Sequence, residues 1–198
     1  PGFLSYPRLV ERSPEETEVV DMTGDELAAL IYTAGTTGRP KGVMHTHLSL
    51  HSNAKMQAES ISLPDGMVSI FVLPLCHSYG IASMNQGLFR RGGKAVLLGS
   101  FHVEAIFTAI QKYRANILAG VPTMYVFMLL FPEPKKYDLS SMRYWFCGSA
   151  PLALETFNRF KQAFGFEIIE GWGLTEAGAN NSVNPLEGLK KVGSIGLP

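Results

Sequence analysis

Ile31-Tyr-Thr-Ala-Gly-Thr-Thr-Gly-Arg-Pro-Lys-Gly42 packs glycines at Gly35, Gly38 and Gly42, hydroxyls at Thr33, Thr36 and Thr37, and the cations Arg39 and Lys41 into one short segment. An apolar run, Leu27 to Ile31, leads into it. Glycines let successive backbone N–H groups converge into an anion-binding nest. Hydroxyls and a lysine at the rim add donors and positive charge suited to a phosphate chain. The spacing is not Walker A, because counting G-x-x-x-x-G-K from Gly35 puts Pro40 where the second glycine belongs. A flexible surface hairpin is the competing reading, since Gly/Thr/Pro clusters mark turns. The order Thr-Thr-Gly-x-Pro-Lys-Gly favours phosphate.

Working outward, 198 residues with 46% apolar and 17% charged side chains can bury a core and do not fit disorder. Net charge is zero with no basic run, so no nucleic-acid footprint is expected. The longest apolar stretch, Met124 to Phe131, is far too short to span a membrane. Pro1 to Pro7 lack the charged start and apolar segment of a secretory leader. Cys76 and Cys147 fit reduced, buried thiols better than a disulfide framework. A cytoplasmic protein is expected.

The order of elements points to an α/β fold. Residues 1–25 read as an irregular lead-in, Leu27 to Thr33 as a buried strand, and Gly42 to His45 as its return in a hairpin. Thr46 starts a helix to about Glu59 with Leu48, Leu50, Ala54 and Met56 as its apolar face. Strands are expected at Met67 to Leu73, Lys94 to Leu98, Asn116 to Ala119, Arg143 to Cys147 and Phe166 to Ile169. Helices are expected at Tyr79 to Phe89, His102 to Arg114, from Pro122 or Thr123, and from Pro151 to a stop at Gly165. Alternation of this kind predicts a largely parallel sheet with helices on its faces. No linker divides the chain.

In such sheets ligands bind beyond the carboxyl ends of the strands. After Leu73 comes Pro-Leu-Cys-His-Ser-Tyr-Gly80, where His77 can meet a ligand or cap a helix. After Cys147 comes Gly148-Ser-Ala-Pro-Leu152; Ser149 lacks a G-x-S-x-G elbow, and these small residues suit a flat ring or phosphate. After Ile169 comes Glu170-Gly-Trp-Gly-Leu-Thr-Glu176. Gly171 and Gly173 leave both faces of the Trp172 indole open to a purine, Thr175 offers a hydroxyl, and Glu176 is the kind of oxygen ligand Mg²⁺ prefers. A core tryptophan and a solvated glutamate are equally compatible with that segment alone. No zinc motif is present.

Tyr32 to Gly42, Leu73 to Gly80, Gly148 to Leu152, Gly171 to Glu176 and Val192 to Pro198 together resemble, in order, the motifs of the adenylate-forming superfamily, in particular its acyl-CoA synthetases. The resemblance implies that Thr33, Gly35, Thr36, Thr37, Gly38 and Lys41 hold the ATP β- and γ-phosphates, that Thr33 and Glu176 approach Mg²⁺, and that Thr175 meets the α-phosphate. It implies adenine stacking on Trp172, where tyrosine is more frequent, flanked by Gly171 and Gly173. Gly148, Ser149 and Ala150 would line the adenine and acid pocket. His77 would lie beside the acid carboxylate, with Tyr79, Gly80, Val121 and Gly171 as acyl-site walls. His77, Lys41, Thr175 and Glu176 are thus the implied catalytic set. The reaction joins a small-molecule carboxylic acid to ATP as acyl-AMP, then to coenzyme A as a thioester.

Peptide-synthetase relatives carry an aspartate in the acid motif to pair with the substrate amine. Cys-His-Ser-Tyr-Gly has none, so an acid without an α-amine is expected, a fatty acid first and an aromatic acid second. The Met124 to Phe131 helix could line an acyl tunnel or be an ordinary core helix. The resemblance implies further sequence beyond both ends of residues 1–198, including a ribose-binding aspartate and a C-terminal lid with a catalytic lysine. The segment is therefore expected to be part of the large N-terminal domain, with little activity alone and with apolar surface open to self-association. A non-catalytic nucleotide-binding module on the same fold is the alternative, and a P-loop NTPase a weaker one.

Overall fold

A computed structural model describes residues 5–15, 18–35, 38–84 and 92–198. Thr36 and Thr37, and the later part of the helix expected over Tyr79 to Phe89, lie outside these residues. The chain forms helix α1 (Tyr6–Arg12), a hairpin of β1 (Leu27–Thr33) and β2 (Lys41–Thr46), then α2 (His47–Ser60), β3 (Val68–Phe71), α3 (Ser78–Met84) and β4 (Lys94–Leu97). There follow α4 (Val103–Tyr113), β5 (Ile117–Gly120), α5 (Pro122–Leu130), β6 (Tyr144–Cys147), α6 (Leu154–Phe164), β7 (Ile168–Trp172) and β8 (Ser182–Val183). Among the described residues no helix is long and apolar enough to cross a membrane.

The main sheet runs β4-β3-β5-β6-β7-β8. The first five strands are parallel and β8 is antiparallel to β7. The expected α/β fold with a largely parallel sheet and flanking helices is what forms. After β3 the chain adds β4 on one side and β5 on the other, so the winding reverses between β3 and β5. A crevice opens at the carboxyl ends where such a reversal occurs.

Period-two alternation divides the two faces of the sheet. Leu118, Trp145 and Ile168 turn toward a core shared with Ile106, Phe107 and Ile110 of α4, Met124, Tyr125 and Met128 of α5, and Phe157 and Phe160 of α6. Trp145 is fully buried, its ring 5.2 Å from Phe160, and Tyr125 Oη donates to the Phe146 carbonyl at 2.5 Å. The neighbouring positions Ile117, Ala119, Phe146 and Ile169 face the other way, toward a cavity. Local signals set the helix ends. Thr46 accepts from the Ser49 N–H at 3.1 Å as the N-cap of α2, and Gly165 ends α6 at φ 77°.

Several expectations are corrected. The lead-in contains α1, a short turn of helix with no buried residue. β1 is not a buried strand: Ile31 is buried while Leu27, Leu30 and Tyr32 are exposed, because a two-stranded hairpin packs on one face only. Leu48 and Met56 are exposed, and α2 buries Asn53, Ala54 and Ala58 instead. α6 begins at Leu154 rather than Pro151, with Ala153 still extended as its N-cap. β7 continues past Ile169 through Trp172, because β8 pairs with Gly171 and Trp172.

Candidate active site

The cavity above the reversal point has a volume of about 620 Å³. The β1–β2 hairpin brings Thr33, Gly35 and Lys41 to it; the β3–α3 turn brings His77 and the first turn of α3 brings Tyr79. Gly148 and Ser149 follow β6, and Gly171, Trp172, Gly173, Thr175 and Glu176 end β7 and the turn beyond it. Segments far apart in sequence therefore converge on one space. Of the remaining expected site residues, Gly38 and Ala150 are exposed and do not line it. Gly80 and Val121 do not line this cavity either; a Cβ on Gly80 would lie 2.3 Å from the Pro74 carbonyl oxygen, so this glycine permits the tight turn that leads into α3.

Backbone conformation at the hairpin needs its glycine. Gly35 has φ 67°, and a Cβ there would stand 2.3 Å from the Arg39 carbonyl oxygen, so the chain can double back beside Lys41 only with hydrogen at that position. Ser149 also sits in the left-handed region, at φ 67°, which costs a non-glycine residue about 1–2 kcal/mol. It directly follows Gly148 on the cavity wall.

The turn carrying Thr175 and Glu176 is fixed from several sides. Ala179 N–H donates to the Leu174 carbonyl at 2.8 Å, and Asn181 accepts from Leu174 N–H at 3.0 Å. Asn53, buried in α2, donates to the carbonyls of Asn180 at 2.9 Å and Ala177 at 3.3 Å. Gly178 at φ 84° lies against the Asn53 side chain. Trp172 is 42% exposed, so its indole is an open platform and not the core tryptophan that the sequence also allowed.

Behind this wall stands a residue to which sequence reading gave no role. Glu170 is buried on the strand face opposite Ile169 and Gly171. One carboxylate oxygen accepts from Leu152 N–H at 3.2 Å and the other from Gly193 N–H at 2.9 Å. It thereby ties the loop carrying Gly148 and Ser149 to the Val192–Pro198 segment. A carboxylate on an otherwise apolar strand was its only sequence signal. Burial and the nearby Glu170 charge push the Cys147 thiol up to about 12; burial, and secondarily Cys147, holds the Tyr79 phenol well above its usual range. Neither is poised as a nucleophile. Cys76, expected to be buried, is exposed, because it falls in the turn between β3 and α3.

Among the described lining residues Glu176 is the one carboxylate and Lys41 the one ammonium or guanidinium cation. No group of three His, Cys, Asp or Glu able to hold a metal occurs among the described residues. A lone exposed carboxylate, Glu176, on the same cavity as the Thr33 hydroxyl fits Mg²⁺, which takes one or two carboxylates and completes its shell with water and substrate phosphates. It does not fit a protein-caged transition metal. The cleft has a cationic lip, an open aromatic face and an apolar interior where Ile61, Leu63 and Phe71 join Ile117 and Phe146. α5 contributes nothing to it, so the helix read as a possible acyl tunnel is a core helix.

The family model for AMP-binding enzymes matches residues 4–198. The chain belongs to the AMP-binding enzyme family. Curated relatives in this family include a long-chain-fatty-acid–CoA ligase of Bacillus subtilis, 35% identical over 87% of this chain and 31% of its own length. Another is 4-coumarate–CoA ligase-like 9 of Arabidopsis thaliana, 36% identical over 98% of this chain and 35% of its own. A Mycobacterium tuberculosis fatty acyl CoA synthetase superposes with a TM-score of 0.85 at 27% identity, covering 96% of this chain and 37% of that one. The ATP-bound MatB of Rhodopseudomonas palustris superposes at 0.82 with 33% identity, covering 97% and 38%. The chain spans about a third of the length of the curated relatives it matches. The family expected from the ordered motifs is therefore the family found, and over this region its relatives are acid–thiol ligases.

Proposed function

We propose that this chain forms the acid-activating core of an ATP-dependent acid–CoA ligase, as part of a large N-terminal domain that works with a separate C-terminal lid. The observation that carries this reading is the meeting of Gly35 and Lys41, His77, Gly148 and Ser149, Trp172, and Thr175 with Glu176 around one cavity. In the proposed reaction a substrate carboxylate attacks the α-phosphorus of ATP, giving acyl-AMP and pyrophosphate. The thiol of coenzyme A then displaces AMP. The nucleophile comes from the substrate, which agrees with the raised Cys147 thiol and the lack of a serine elbow.

The protein's work is positioning and charge compensation. Lys41 and the backbone at Gly35 take the leaving pyrophosphate, Thr36 and Thr37 adding hydroxyls. Thr175 donates to the α-phosphate, the purine stacks on Trp172, and His77 faces the carboxylate. Mg²⁺, held by Glu176 and Thr33, would offset phosphate charge when bound. The substrate we favour is an acid with an apolar tail and no α-amine, a fatty acid ahead of an aromatic one. Its tail would enter the apolar interior around Ile61, Leu63 and Phe146, where no described residue supplies a carboxylate for an amine.

Calorimetric titration of the full-length protein with ATP tests the nucleotide half. Binding is expected to tighten at least about tenfold on adding Mg²⁺, and Glu176→Ala should abolish that gain while leaving metal-free binding in place. Equal Mg²⁺ dependence in Glu176→Ala would remove this residue from the metal site.

A further inference from the structure

Thr175 is gripped from two directions by side chains that have no part in the chemistry proposed above. Ser78 Oγ lies 3.1 Å from Thr175 Oγ1. His45 Nε2 lies 2.8 Å from the Thr175 carbonyl oxygen; a carbonyl only accepts, so Nε2 carries the proton and donates. Both partners are buried, Ser78 at 5% and His45 at 3% exposure. Their origins matter. Ser78 opens α3 directly after His77, and His45 belongs to β2, whose first residue is Lys41. The contacts cross 97 and 130 residues of sequence. At Thr175 the phosphate hairpin, the acid-side turn and the turn beyond β7 are thus joined by direct hydrogen bonds.

We infer that Ser78 and His45 are positioning residues that fix Thr175, Ser78 setting the direction of its hydroxyl and His45 the place of its backbone. The inference deepens the ligase reading and rests on it for its catalytic consequence. In the Ser78–Thr175 pair either oxygen can donate. When Ser78 donates, the Thr175 proton is released to point into the cavity toward an anionic phosphate oxygen. A donor chain of this kind, Ser78 to Thr175 to phosphate, strengthens each link because each hydroxyl polarises the next. His45 supplies the second constraint. With the carbonyl held on β2, the hydroxyl keeps one distance from Lys41 as substrates enter.

The test uses the full-length protein with Ser78→Ala, His45→Leu and His45→Gln, the last retaining an N–H donor. Acid-dependent exchange of pyrophosphate into ATP gives kcat and the KM for acid, and hydrogen–deuterium exchange reports protection over residues 174–179. Ser78→Ala and His45→Leu are each expected to lower kcat by about 3–10-fold, the worth of one hydrogen bond, with KM for acid changed less than about twofold. His45→Gln should return to within about threefold of the parent, and amide exchange near Thr175 should quicken in the two damaged variants. A purely structural role would lower the melting temperature, leave turnover per folded molecule unchanged and show no rescue by glutamine. Parent-like turnover and parent-like amide protection in Ser78→Ala overturn the inference. Should His45→Leu fail to fold, Ser78→Ala decides alone, since it removes a single oxygen. If the parent shows no exchange with any acid, the ligase reading falls on its own account. Amide protection then decides the positioning role, unchanged protection in Ser78→Ala refuting it.

Discussion

Gly173→Ala should dislodge the turn that presents Thr175 and Glu176. A Cβ built on Gly173 would lie 1.0 Å from the Ala179 carbonyl oxygen and 2.2 Å from its carbon. The obstruction is backbone, so no side-chain rotation relieves it. Reaching van der Waals contact requires a local shift of about 2 Å. Such a shift breaks or stretches the Ala179-to-Leu174 bond of 2.8 Å, the Asn181-to-Trp172 bond of 2.9 Å and the Asn53-to-Asn180 bond of 2.9 Å. At about 0.5–1.5 kcal/mol for each of the three, the loss is roughly 1.5–4.5 kcal/mol, borne as lower stability, a displaced turn or both. Gly38→Ala is the control. It has φ 80° but nothing within 4 Å of a Cβ, leaving a conformational cost of about 1–2 kcal/mol. Urea unfolding of both variants, together with ATP titration of the full-length proteins, separates the effects. Gly173→Ala should weaken ATP binding well beyond Gly38→Ala, or unfold at clearly lower urea. A Gly173→Ala protein matching its parent in both measurements would refute the steric reasoning and the place given to this turn.

Two further outcomes follow from exposure and burial. Trp172→Ala should weaken ATP binding by about 5–150-fold, the range of one lost stacking contact of about 1–3 kcal/mol, whereas Trp172→Tyr should stay within about threefold because the π-face is kept; the same titration reads both. In native protein near neutral pH, iodoacetamide followed by peptide mass spectrometry should modify Cys76, which is exposed, and spare Cys147, whose buried thiol is pushed up to about 12, until denaturant is added.

The parallel sheet was legible because short apolar strands alternate with helices, two of them amphipathic, as in Lys94 to Tyr113 and Tyr144 to Phe164. Ordered motifs at strand ends likewise announced the cavity, since topology alone carries Gly148 and Gly171 to the same edge. What stayed hidden depended on pairing across long separations. The two-residue β8 has no periodicity of its own and exists through its ladder with Gly171 and Trp172. The same pairing lengthens β7 past Ile169. Glu170 read as a polar residue at a strand end; its burial follows from the N–H groups of Leu152 and Gly193 meeting it from two loops. His45 was read only as the end of the returning hairpin strand, and its partner is the Thr175 carbonyl, 130 residues away. In the opposite direction, Leu30 and Tyr32 belonged to a stretch read as a buried strand, but they lie on the outer face of a hairpin and stay exposed.

The most direct test of the account is acid-dependent exchange of labelled pyrophosphate into ATP by the full-length protein, run against fatty and aromatic acids with coenzyme A withheld. Formation of acyl-AMP predicts exchange that requires both Mg²⁺ and an acid, that is strongest with an apolar acid, and that collapses in Lys41→Ala. Tight ATP binding with no exchange for any acid would contradict the ligase account and leave a nucleotide-binding module in its place.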